Sequence, residues 1–112
     1  MTDTIFGKMI SGEISADFIH EDEFCVVIRD INPVAPTHCL IIPRDPLVKL
    51  SDAGEDHQAL LGHLFLVANK IAKEEGLSDY RCVINNGPEA GQSVFHLHLH
   101  LMGGRGMSWP PG

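Results

Sequence analysis

Between residues 93 and 102 the chain alternates: Phe95, Leu97, Leu99 and Leu101 are apolar, and His96, His98 and His100 stand between them. A two-residue period is that of a β-strand, so the segment predicts a strand with all three imidazoles on one face and an apolar packing surface on the other. Similar reasoning predicts strands over 18–21 and 24–30, joined by an acidic turn at Asp22-Glu23, a third over 38–42 ending at Pro43, and a fourth over 81–85. Leu60, Leu61, Leu64, Phe65, Ala68, Ile71 and Ala72 recur at three and four residues instead. That stripe predicts the longest helix, from Ser51 or Asp52 to Glu75, with Asp52, Glu55 and Asp56 at the end where the helix dipole favours acids. A short helix is predicted to start at a cap on Asp3 or Thr4 and to run to about Ile10, with Gly12 beyond its end. Five strands and two helices make an α+β domain.

Length and charge narrow the picture. A chain of 112 residues forms one domain, 1–112, burying roughly 60–68% of its unfolded surface, too small for a deep two-domain cleft. Fifteen acidic residues against eight basic, net −7, argue against nonspecific nucleic-acid binding and against an anionic membrane surface. Any anionic substrate must then be held locally, by histidines, backbone N–H groups and hydroxyls. Cys25, Cys39 and Cys82 are odd in number and sit in apolar runs, which favours free buried thiols in a reducing compartment. With no apolar run near the ~20 residues of a membrane span and no signal-like start, the expected location is cytoplasmic.

The histidine row carries the candidate chemistry. Three imidazoles are a poor way to fill a core, because each has two ring nitrogens that need partners when buried. As a metal site the row is awkward: His96 and His100 are roughly 13 Å apart along a strand, so a zinc ion would need a distant third ligand such as His38 or Cys82. No metal and no cofactor are expected. Neutral imidazole is an effective nucleophile near neutral pH, and a neighbour two residues away can reach the same small group. His98, flanked on both sides, is the natural nucleophile. His20 reads as an isolated surface residue, and His57 and His63 as surface or dimer-interface residues.

The run His96-Leu97-His98-Leu99-His100-Leu101-Met102, followed by Gly103-Gly104-Arg105, resembles the motif of the histidine triad (HIT) superfamily. With the tail Trp109-Pro110-Pro111-Gly112 it is similar to the Hint branch, the purine nucleoside phosphoramidate hydrolases. Further matching stretches run from Asp3 to Lys8, from Arg29 to Ile31, from Ala35 to His38 and from Gly91 to Val94, so the resemblance spans the whole chain. It implies an antiparallel sheet continued across a two-fold homodimer, and cleavage of the P–N bond of a purine nucleoside monophosphate amide through a nucleotidyl-histidine. The competing reading is a nucleotide-binding or scaffolding protein with little turnover. The resemblance also implies that His38 is a fourth active-site histidine, that Ile5, Phe6, Ile28, Ile31 and Leu40 line a nucleoside pocket, and that Asn85, Gly91, Gln92 and Ser93 contact phosphate or leaving group. Trp109 is implied to approach the partner's site. Asp30 matches the carboxylate that binds ribose hydroxyls, although a turn-capping role is nearly as easy to defend. Met9 reads as ordinary helix-to-sheet packing.

Overall fold

The computed structural model describes residues 4–112. Helix α1 (Ile5–Ser11) starts at Thr4, whose Oγ1 accepts from the Gly7 amide at 3.0 Å, and ends at Gly12 in the left-handed region. Asp3, the other expected cap, lies outside the described residues. Strands β1 (His20–Glu21), β2 (Cys25–Arg29), β3 (Thr37–Pro43), β4 (Tyr80–Val83) and β5 (Leu99–Gly103) form one antiparallel sheet in the order β1-β2-β3-β5-β4. The α+β architecture of five strands and two helices is the one the sequence predicts.

The sheet is covered on both faces at its centre, which is why β2 and β3 read as unbroken apolar runs. Cys25, Val27, Cys39, Ile41, Leu99 and Leu101 face helix α2 (Gln58–Glu74), which supplies Leu64, Val67, Ala68, Ile71 and Ala72. Val26, Ile28, Leu40 and Ile42 face the other way and pack with Phe6 of α1. His100 pairs with Leu40 and Met102 with His38, so both histidines lie on the α1 face.

Four elements depart from expectation, the first being β1, which starts at His20, two residues after its predicted start. The strand predicted over 93–102 begins only at Leu99. Its ladder with β3 ends at Ile41–Leu99; Pro43 has no N–H to continue it, and its carbonyl accepts instead from His96 Nε2 at 2.7 Å. The Leu97 amide bonds to Leu47 O in a loop, so the stretch alternates without belonging to the ladder, and Phe95 is exposed rather than packed. The long helix starts at Gln58, not near Ser51. Leu50–Asp52 and Glu55–His57 form separate 3-10 turns, interrupted by extended backbone at Ala53 and Gly54, and the Gly54 amide donates to His57 Nδ1. The stripe on α2 is also narrower than expected, because Phe65 is half-exposed. Finally, the fourth strand is Tyr80–Val83, two residues short of the predicted end.

Candidate active site

On the α1 face a cavity of about 310 Å³ lies between α1, the ends of β2 and β3, and the segment entering β5. That is at the small end of ligand-pocket sizes. Ile5, Phe6, Ile28, Ile31 and Leu40 give it an apolar wall, while Asp30, Ser93, His98 and His100 supply polar groups. Met9 and Asn32 also line it, which the sequence reading missed; Met9 was assigned to packing, and it packs against the core as well. A larger, more open cleft of about 540 Å³ lies between residues 76–81 and 104–107, with no histidine in its wall, so it has no counterpart of this chemistry.

Two separate sets of hydrogen bonds, one on His96 and His98 and one on His38 and His100, fix the tautomers. His98 Nδ1 lies 2.8 Å from His96 O. A carbonyl only accepts, so Nδ1 carries the proton and Nε2 of His98 is left with a free lone pair. The same logic puts the His96 proton on Nε2, donating to Pro43 O. The Val34 amide donates to His38 Nδ1 at 3.1 Å, so His38 holds its proton on Nε2 and donates it to His100 Nδ1 at 2.9 Å. His100 therefore keeps its own proton on Nε2. Asp30 Oδ2 stands 3.4 Å from His38 Nε2, and its Oδ1 accepts from the Asn32 amide. Rings follow one another closely: Phe6 lies edge-on to His98 with centroids 5.0 Å apart, and His98 is 5.0 Å from His100.

Burial decides the charge of this row. It lowers the pKa of His96 and His98 from their ordinary value, and holds His100 down at about 4, helped by repulsion from His98 and His38. The triad is neutral at pH 7. Arg29 lines the cavity but is spoken for, because its guanidinium makes a bidentate pair with Glu75 at the end of α2, with both contacts 2.9 Å.

Other expected site residues sit outside the cavity wall. His96 and His38 are buried behind it, 2% and 6% exposed, and reach it only through their bonds to neighbours. Gln92 is buried too, and its side chain is used up inside the loop: Oε1 accepts from the Gly87 amide and Nε2 donates to Val48 O and Val94 O. The Gly91 and Gln92 amides bond to Pro88 O and Gly87 O within the loop. Gly91 has φ +100°, and a Cβ there would stand 3.6 Å from Asn85 Nδ2, which places Asn85 beneath the loop. Trp109 is 81% exposed and lies off the cavity of its own chain.

Two sets of metal-type donors exist among the described residues. Asp30, His38 and His100 offer atoms within 4.8 Å of one another, as do His20, Asp22 and Cys25 away from the cavity. The three triad imidazoles do not form such a set. His20 is not isolated, and His63 is not a free surface group: each Nε2 bonds to Asp22 Oδ2, at 2.9 and 2.8 Å. The sequence hid this hub because His63 is 41 residues from Asp22.

A family model for the HIT domain matches residues 11–107. The chain is 56% identical over 111 residues to an uncharacterised HIT-like protein of Synechococcus elongatus, covering 98% of this chain and 97% of that one. It is 55% identical to a protein of Zea mays named 14 kDa zinc-binding protein, over 97% of this chain and 88% of that one. Among solved structures, a HIT family hydrolase from Legionella pneumophila superposes with a TM-score of 0.94 at 46% identity, covering 98% of this chain and all of that one. A histidine triad nucleotide-binding protein from Candida albicans does so with 0.82 at 33%, over 96% of this chain and 83% of that one. The chain belongs to the HIT domain family.

Proposed function

We propose that the protein is a purine nucleoside 5′-phosphoramidate hydrolase. The observation that carries this reading is the His98 imidazole: its Nδ1 proton is committed to His96 O, its Nε2 is unprotonated, and its ring lines a cavity shared with His100. A nucleophile needs that lone pair, and neutrality at pH 7 keeps it available. Nε2 attacks the α-phosphorus, the P–N bond breaks, and the departing nitrogen takes a proton from solvent beside Ser93 and His100. Water then cleaves the nucleotidyl-histidine, giving the nucleoside monophosphate. His100, with its proton on Nε2, donates to the phosphoryl oxygens, and His38 holds His100 in that tautomer. The apolar wall of Ile5, Phe6, Ile28, Ile31 and Leu40 suits a flat base, and Asp30 at the rim suits ribose hydroxyls. The two solved structures, one named as a hydrolase and one as a nucleotide-binding protein, support the hydrolase and nucleotide-binding part of this reading. Asn85, Gly91 and Gln92 support the loop that delivers Ser93.

The protein is also proposed to work as a homodimer in the cytoplasm. β4 is an edge strand, and Tyr80 at its start bonds to Asn69 of α2, one turn beyond the exposed Leu66. That apolar edge fits a second copy, whose Trp109 would then reach this cavity. Among the described residues no helix is long and apolar enough to cross a membrane.

The test is mass spectrometry of enzyme quenched during turnover of an adenosine phosphoramidate. A nucleotidyl adduct on His98 is expected; an adduct mapped to His96, His100 or a cysteine, or binding without product, would overturn the reading. Because imidazole supplies the nucleophile, chelators should leave turnover unchanged.

A further inference from the structure

The Asp22 hub lies outside everything this chemistry uses. Asp22 Oδ1 accepts the Phe24 and Cys25 amides at 2.7 and 2.9 Å, closing the turn between β1 and β2. Its Oδ2 takes His20 Nε2 and His63 Nε2, and the fully buried Cys25 Sγ stands 3.7 Å from the same oxygen. One carboxylate oxygen thus faces three donors, more than its two lone pairs satisfy. Nitrogen, oxygen and sulfur atoms of His20, Asp22 and Cys25 all lie within 4.8 Å of one another. We propose that these three residues form a binding site for zinc or a similar borderline-soft divalent ion, with His63 of α2 holding the ligating carboxylate from outside.

The distances suit that ion. Zinc bonds of about 2.0–2.3 Å in a tetrahedron separate ligand atoms by about 3.3–3.7 Å. The sulfur–carboxylate separation of 3.7 Å already matches, and the 2.9 Å between His20 and Asp22 has to open by less than about 1 Å. A thiol and an imidazole exclude magnesium and calcium, which take oxygen ligands. His63 plays the part that outer partners of ligating carboxylates play, fixing the orientation of Asp22. The fourth position falls to water.

Two cations face the site. Arg44 Nε donates to the backbone Asp22 O, which holds the turn. Lys70 Nζ is 3.4 Å from His20 Nδ1, so it must withdraw when the His20 proton moves from Nε2 to Nδ1; it is more than half exposed and has Glu74 at 4.0 Å to turn to. Because a ligating thiol binds as thiolate, one thiol proton leaves to solvent for each ion bound.

Cobalt titration of the reduced, chelator-stripped full chain tests this. One equivalent should bind with a sulfur-to-cobalt charge-transfer band and release of one proton. His20→Phe, or His20→Gln if the first variant misfolds, should abolish the band, and His63→Phe should weaken binding by about 10-fold or more. His100→Asn, in the other donor set, should leave the band intact. No band at saturating cobalt overturns the proposal, as does a band that survives in Cys25→Ser or in both His20 variants, or one lost in His100→Asn.

Discussion

The molecule keeps two groups of histidines, and they differ in what each imidazole faces. In the triad, ring nitrogens bond to backbone carbonyls and to one another, within a cavity walled by Phe6, Ile28 and Leu40. At the edge of the sheet, His20 and His63 both face the carboxylate of Asp22. A carbonyl partner fixes a tautomer and raises the pKa, but burial lowers it by more, so the ring stays neutral. The carboxylate of Asp22 gives both rings one ionised acceptor or, with a metal present, a shared ligand shell. The first arrangement makes a nucleophile, and the second ties β1 and its turn to α2.

The largest expected effect that separates the two groups is at His98. His98→Gly should lower turnover of a phosphoramidate by at least roughly 10³-fold while sparing nucleotide binding, measured by steady-state kinetics and calorimetry. Asp22→Ala should leave turnover nearly untouched. If it matched His98→Gly, the two groups would not be functionally distinct.

Next in size are the losses of stability. His96→Ala removes the buried partner of Pro43 O, and Asp22→Ala removes the acceptor of two turn amides and two imidazoles. Each should cost about 1–3 kcal/mol by urea denaturation, the first by leaving a buried carbonyl unpaired and the second by losing several bonds to an ionised carboxylate. His96→Ala should also cost activity, though less than His98→Gly, because its ring stands behind the wall and not in it. Turnover unaffected by His96→Ala would remove it from the site.

Most of the fold was legible because its signals are local: period-two alternation, helical stripes, a capping threonine and prolines that end strands. The row of histidines on one face was legible for the same reason. What escaped is what depends on distant pairing. Residues 93–98 alternate as a strand does, yet Leu97 bonds to Leu47 and His96 to Pro43, contacts fixed only when the loop after β3 folds back. Gln92 bonds to Val48 and Gly87, which braces the loop, a role that nothing in its neighbouring residues signals. Met9 gave a signal, one turn after Ile5 on α1, that packing alone seemed to explain. The hub on Asp22 had half a signal in the close spacing of His20, Asp22 and Cys25; its other half is on a helix far along the chain.

The smallest effects distinguish the two groups by pH. Burial holds the triad imidazoles below their ordinary value of 6.5, His100 at about 4. As pH falls below 6.5 the unfolded chain takes up protons that the folded triad refuses. The unfolded state then binds more protons, so stability falls across the window from about 6.5 down to about 4. For Asp22, burial raises the pKa, but hydrogen bonds from His20, His63 and the Phe24 and Cys25 amides outweigh it and hold the carboxyl well below its ordinary 3.8. Its contribution is complete above the unfolded value and is lost only as pH drops below it. The two groups therefore weaken in separate windows. Urea midpoints measured across that range should show two slopes, with His100→Asn flattening the upper and Asp22→Asn the lower. A His100→Asn protein with the wild-type slope between pH 6.5 and 4 would place those protons elsewhere and break the contrast between a neutral row and a charged hub.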